Sequence, residues 1–207
     1  MAKSLYESKP AFKEALDQCA EILSEKEISL LEIVYSESAS DQINQTIYAQ
    51  PALFAVEYAL AQLWISWGIT PTALIGHSIG EYVAACLAGG FDLKTALHIV
   101  SQRGQLMQQM PGGAMLSVAL SAEAVTPLLS DGITLAVSNG PQLCVVSGTA
   151  EAIASLQPRL EEKDIGCHLL HTSHAFHSPA MDPMLSPFIE ALSQVQLSPP
   201  TIPFISN

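Results

Sequence analysis

Positive charge is what this chain has least of. Its 207 residues hold 8 Lys and Arg against 20 Asp and Glu, a formal net charge of −12 at pH 7. So acidic a balance opposes binding to nucleic acid or to an anionic membrane surface, both of which call for clustered basic side chains. It also makes each arginine a residue to account for. Cysteine is scarce too: Cys19, Cys86, Cys144 and Cys167 lie far apart, with no C-x-x-C pair. They read as small apolar residues in a reducing compartment, and no disulfide is expected. No apolar run approaches the roughly 20 residues of a membrane-spanning helix. The start, Met1-Ala-Lys-Ser-Leu-Tyr-Glu7, lacks the apolar stretch of a secretory signal. A cytoplasmic protein is expected, with room for one domain or one domain and a smaller subdomain.

What the sequence does have is a short apolar run, Thr72-Ala-Leu-Ile75, that meets Gly76-His-Ser-Ile-Gly80 and turns at once into Glu81-Tyr-Val-Ala-Ala-Cys-Leu87. Strand, sharp turn and helix in that order make a nucleophile elbow. Gly76 and Gly80 are read as the residues that let the backbone close on itself, leaving Ser78 strained and exposed. The helix behind directs free N–H groups and its positive dipole end at any oxyanion formed there. Ser78 is the candidate nucleophile; the plain alternative is a glycine-bounded turn.

Apolar spacing predicts an amphipathic helix over residues 8–23, a shorter one over 27–35 and a polar loop over 36–44. A buried helix is expected over 50–67, with Pro51 in its first turn and Gly68 ending it. Asp92 caps a helix that carries Arg103 and runs to residue 109. Strand, helix, strand, strand, helix and strand signals follow at 114–120, 122–129, 133–137, 143–146, 150–162 and 166–170. The second and third strands flank Asn139-Gly140, and Pro158 predicts a kink or boundary in the second helix. The order β-α-β-β-α-β is that of a ferredoxin-like subdomain. A helix over 179–194 and a strand over 202–206 complete the chain.

A serine nucleophile needs a base, and six histidines are available. His77 adjoins the nucleophile, where neighbouring side chains at a sharp turn point apart, so it reads as a buttress of the turn. His98 falls mid-helix among apolar residues and reads as a satisfied structural histidine. His168, His171, His174 and His177 recur at every third position, which invites a metal. That step fits neither a strand nor the i, i+4 pairing of helical zinc ligands, and no Cys or carboxylate cluster joins them, so no metal is expected. His177 lies where a strand gives way to a Ser-Pro loop, a place from which a base can be presented.

Four blocks carry a resemblance: Tyr48-Ala-Gln-Pro-Ala-Leu-Phe54, Gly76-His-Ser-Ile-Gly-Glu81, Ser101-Gln-Arg-Gly104 and His174-Ala-Phe-His-Ser178. In order and spacing, the chain resembles the acyltransferase domain of modular polyketide synthases, related to malonyl-CoA:acyl carrier protein transacylases, over essentially its whole length. The resemblance implies an α/β fold. A hydrolase-like large subdomain (residues 1–111 and 178–207) would hold a short, mainly parallel sheet and the nucleophile elbow, with an inserted ferredoxin-like (βαββαβ) small subdomain at 112–177. It implies that Ser78 is acylated, that His177 is its base and that Arg103 grips the free carboxylate of the extender unit, a role suited to a planar guanidinium. Gln50 is implied near that carboxylate, with Asn139 and His77 also at the site; plain readings of Gln50 and Asn139, as a polar helix start and a turn residue, stay open. The oxyanion hole would use the Ile79 backbone N–H and one from a Gly-Gln-Gly loop.

Phe176 and Ile79 follow the family's malonyl pattern, in which a phenyl ring occupies the space a C2 methyl group needs. The implied substrate is malonyl-CoA and the implied acceptor the phosphopantetheine thiol of an acyl carrier protein, with no cofactor bound by the chain itself. Other domains of one synthase, such as a ketosynthase, are implied partners. The family's domain begins before and continues beyond the residues matched here, so the chain reads as a fragment truncated at both ends, catalytically impaired alone. The rival readings are an α/β-hydrolase such as an esterase or thioesterase, which shares the elbow, and a non-catalytic docking module.

Overall fold

The computed structural model describes residues 1–36 and 41–206. The expected loop over 36–44 therefore lies partly outside the described residues. In chain order the elements are α1 (Lys3–Ser8), α2 (Pro10–Ser24), α3 (Leu30–Tyr35), α4 (Thr46–Ser66), β1 (Leu74–Ile75), α5 (Ile79–Leu87), α6 (Leu93–Gln108) and β2 (Ala114–Val118). There follow α7 (Ala122–Val125), β3 (Ile133–Gly140), β4 (Leu143–Gly148), α8 (Ala150–Glu161), β5 (Cys167–Leu169), α9 (Leu185–Ser193) and β6 (Phe204–Ile205). Two compact units result, one of Met1–Leu106 with Pro187–Asn207 and one of Met107–Ser186. The second is wider than the expected 112–177, because the end of α6 and the 3-10 helix Pro179–Met184 go with it.

In the first unit α2 buries Phe12, Ala15, Leu16, Cys19 and Leu23, the i, i+3, i+4, i+7 stripe of an amphipathic helix, and packs on α4. The buried helix expected from residue 50 begins four residues earlier, and Pro51 lies inside it. Thr46 and Gln50, only 3% and 6% exposed, hold the added turn; proline there removes one backbone bond but leaves the turn's packing intact. The sheet of this unit is a parallel pair, Leu74 beside Phe204 and Ile75 beside Ile205. Asp92 caps α6, its Oδ1 accepting the Thr95 N–H at 2.7 Å.

The second unit has strand order β3-β4-β2-β5, all antiparallel, which puts its first strand between its third and fourth as the ferredoxin-like pattern requires. Leu116, Val118, Cys144 and Val146 from the sheet pack with Val125 of α7 and with Ile153, Leu156 and Leu160 of α8. Pro158 does not break α8, since buried Leu156 and Leu160 on either side anchor it to the sheet. Nor do Asn139 and Gly140 form the turn. Both belong to β3, with register shifts around Leu135/Val137 and Ser138/Gly140, and the connection is Pro141-Gln142.

Asp92→Ala removes an N-cap and is expected to cost about 1 kcal/mol, a fall of about 2–4 °C in Tm for a chain of this size. The Thr95 N–H holds the Asp92 carboxyl below its ordinary range. Its contribution is thus complete above the unfolded carboxylate pKa and is lost as pH falls through the lower folded value. Thermal melts across acid pH are expected to show the two proteins converging towards low pH; a constant gap would contradict the cap.

Candidate functional site

The elbow sits in the first unit between β1 and α5. Ser78 has φ 52° and ψ −109°, a left-handed backbone that a residue with a Cβ adopts at a cost of about 1–3 kcal/mol and that marks functional turns. A Cβ on Gly76 would overlap the backbone of Gly80 and Glu81, so glycine is obligatory there. At Gly80 an added Cβ would meet only Glu57 Oε2, at 3.4 Å, so the second flanking glycine is not sterically demanded, contrary to the expectation. The turn is closed by the Gly80 N–H on the His77 carbonyl (3.0 Å) and the Glu81 N–H on the Ser78 carbonyl (3.1 Å). Ile79 is the first residue of α5 and is buried, placing its N–H among the helix-start donors that no intrahelical acceptor serves. His77 is exposed beside Glu57, whose carboxyl burial pushes up and His77 pulls down.

Three helices of this unit meet at Arg103. From α6 its Nη1 donates to Gln50 Oε1 on α4 at 2.6 Å, and its guanidinium carbon lies 5.8 Å from the centre of the Tyr82 ring on α5. Tyr82 is four residues, one helical turn, past Ser78. Arg103 takes part in neither the Lys13–Asp17 nor the Lys94–Glu25 ion pair, and its partners Gln50 and Tyr82 are both neutral. Burial lowers the guanidinium pKa while Tyr82 raises it. A partly buried cation held by an amide and a phenol keeps N–H donors with which an anion could pair. Gly104 allows the approach of α6 to α4: a Cβ there would stand 2.9 Å from the Thr46 carbonyl oxygen and 3.3 Å from Ile47 Cα. Arg103 and Gln50 were both singled out in the sequence, and the structure brings them together. Gly104 ended the block Ser101-Gln-Arg-Gly104 and Tyr82 followed the block that ends at Glu81, both without a role, and only their spacing from Arg103 and Ser78 marked them.

In the second unit residues 172–178 are pinned by their own backbone. The Thr172 hydroxyl donates to the His174 carbonyl (2.7 Å), the Gly113 N–H to the Ser173 carbonyl (3.1 Å) and the Ser178 hydroxyl to the Ala175 carbonyl (2.6 Å). His174 is buried, with Nδ1 at 2.7 Å from Ser173 Oγ, and its ring stacks on Phe176 at 5.8 Å. His177 follows, exposed, with φ 56°. Asn139 is exposed near the end of β3, in the same unit but on a different segment. His168 and His171 are exposed as well, and no group of three or more His, Cys, Asp or Glu among the described residues could hold a metal. His98, expected among apolar side chains, instead faces solvent with Nε2 at 3.5 Å from Lys26 Nζ. Its pKa is lowered by partial burial and by Lys26 and Lys94.

The sequence pattern of the acyl transferase domain family matches residues 1–207. The chain is 46% identical over 208 residues to a phenolphthiocerol/phthiocerol polyketide synthase polypeptide of Mycobacterium tuberculosis, covering all of the chain and 14% of that protein. Among solved structures it is similar to the acyl transferase domain of ZmaA, with TM-score 0.86 and 40% identity over all of this chain and 50% of that one. It is likewise similar to the acyltransferase domain from the second module of the salinomycin polyketide synthase, with TM-score 0.91 and 38% identity over all of this chain and 49% of that one. The chain thus spans about half the length of these two solved chains and a small part of the synthase. Among the described residues no helix is long and apolar enough to cross a membrane.

Gly104→Ala forces α6 away from α4 and is expected to destabilise the protein by about 1–3 kcal/mol, the usual range for overpacking. Denaturant titration checks this; an unchanged midpoint would show that the helices part without strain.

Proposed function

Because the chain belongs to the acyl transferase domain family found in modular polyketide synthases, we propose that it moves a malonyl unit from coenzyme A to an acyl carrier protein. In this reading Ser78 Oγ attacks the thioester carbonyl and its proton passes to the His177 imidazole. The oxyanion develops at the Ile79 N–H, and coenzyme A leaves as the thiol with the proton His177 returns. The phosphopantetheine thiol of the carrier then attacks the Ser78 ester, with His177 again taking and returning the proton. No cofactor is called for. The observation that carries the reading is Arg103, a partly buried cation whose partners are the neutral Gln50 and Tyr82. The distal carboxylate of a malonyl group supplies the missing charge through two parallel hydrogen bonds.

Gln50 then holds Arg103 in place, and His77 supports the elbow through Glu57. Phe176, stacked on buried His174, is proposed to disfavour a C2 methyl group; a single methyl is worth about 1–3 kcal/mol of discrimination. Asn139 has no part in this scheme. The acceptor carrier and a neighbouring ketosynthase are proposed by analogy with the synthases that the chain is similar to, and so is a place in polyketide or fatty acid assembly.

The test is mass spectrometry of the full polypeptide after incubation with malonyl-CoA. A malonyl adduct on Ser78, absent from Ser78→Ala, is the expected result; release of free malonate without a carrier would indicate a hydrolase, and no adduct would sink the proposal. Arg103→Ala is expected to lower malonyl transfer about 10- to 100-fold while leaving acetyl transfer nearly unchanged, the loss of one or two charge-assisted hydrogen bonds. Equal losses for both acyl groups would remove Arg103 from the carboxylate. In the same assay methylmalonyl-CoA loads more slowly than malonyl-CoA, and Phe176→Ser narrows that gap if the ring sets it.

A further inference from the structure

Arg103 has two neutral partners, and they hold it in different ways. Gln50 Oε1 takes an Nη1 hydrogen at 2.6 Å, which fixes one end of the fork. A guanidinium has five N–H donors, so this bond alone leaves it free to swing about its stem. The second contact is Tyr82, whose ring lies 5.8 Å from the guanidinium carbon and whose hydroxyl is within hydrogen-bonding reach of the guanidinium. Its negative face attracts the cation without neutralising it, and more strongly out of water than in it. Burial pushes the Tyr82 hydroxyl above its usual range, so the side chain stays a neutral phenol. A carboxylate in its place would satisfy Arg103 in advance and abolish the receptor.

Tyr82 is also placed by the elbow itself. It lies four residues beyond Ser78, about 6 Å along the axis of α5 at 1.5 Å per residue. The helix that presents the nucleophile therefore also presents the ring, and with it the guanidinium that the ring contacts. A short acyl chain on Ser78 that ends in a carboxylate can reach a guanidinium placed there.

Resting on the reading that Arg103 takes the acyl carboxylate, we propose that Tyr82 is a positioning residue that holds the Arg103 guanidinium one turn from Ser78 and so selects short dicarboxylic acyl groups over uncharged ones. The ring and its hydroxyl both contribute, the hydroxyl by a hydrogen bond with the guanidinium and the ring by its face. Tyr82→Phe keeps the ring, and Tyr82→Met keeps an apolar side chain of similar bulk without it.

The experiment compares kcat/KM for malonyl-CoA and acetyl-CoA in the full polypeptide for the parent, Tyr82→Phe, Tyr82→Met and Arg103→Ala, with melts run alongside. Tyr82→Phe, which keeps the ring and loses the hydroxyl, is expected to lower the malonyl-to-acetyl ratio only about 2- to 5-fold. Tyr82→Met is expected to lower it about 5- to 30-fold, the factor that roughly 1–2 kcal/mol corresponds to. A merely structural role would depress both substrates equally and leave the ratio unchanged, which would overturn the proposal. Equal losses in Phe and Met variants would overturn it too, by removing the ring from the explanation. If the methionine variant melts below the assay temperature, Tyr82→Leu is read by the same criteria. Arg103→Ala separates the two claims. A collapsed ratio there with an intact ratio in Tyr82→Met defeats only the role of Tyr82, whereas an intact ratio in Arg103→Ala defeats the carboxylate reading itself.

Discussion

A partly buried guanidinium held by two neutral partners is the constraint around which three helices of the first unit meet. Arg103 meets Gln50 from one helix and Tyr82 from another. Stripping a charge of solvent without pairing it is unfavourable, and a protein keeps such an arrangement where a ligand completes it. The supporting details follow from this. Gly104 has no side chain because α6 must reach the backbone of α4 at Thr46 and Ile47. The extra first turn of α4, held by buried Thr46, carries Gln50 into place. α5 brings Tyr82 because it begins at the elbow.

The elbow and the histidine segment show two ways of holding a candidate site residue still. Ser78 is fixed by backbone strain, with an obligatory glycine two residues before it and a helix immediately after. His177 is fixed by its neighbours: a buried histidine, a stacked phenyl ring and a capping serine all precede or follow it within residues 172–178. Both have positive φ although neither is glycine, an uncommon backbone state that persists where surrounding contacts over-determine it.

Much of this was legible in the sequence, and the failures have physical causes. The elbow could be read because a sharp turn demands small residues at fixed offsets, and Gly76 obeys that demand while Gly80 only permits it. The ferredoxin-like order was legible from alternation of strand and helix signals, and the sheet order agrees with it. Propensity failed where burial decided. Pro51 and Pro158 stay inside helices because packing on either side outweighs one missing backbone bond. Asn139-Gly140 looked like a hairpin turn, but register shifts absorb the mismatch and move the connection to Pro141-Gln142. His98 is an exposed position on α6 between buried Ala96 and Leu97 and buried Ile99 and Val100, and it faces Lys26. Tyr82 escaped notice because an aromatic on an apolar helix reads as core until the cation beside it is seen.

The most direct measurement is a crystal structure of the full polypeptide trapped as the malonyl ester of Ser78. The account predicts the distal carboxylate bound side-on to Arg103, with Gln50 still accepting from Nη1 and the Tyr82 ring still against the guanidinium. A carboxylate turned to solvent or held by another residue, with Arg103 unchanged, would contradict it.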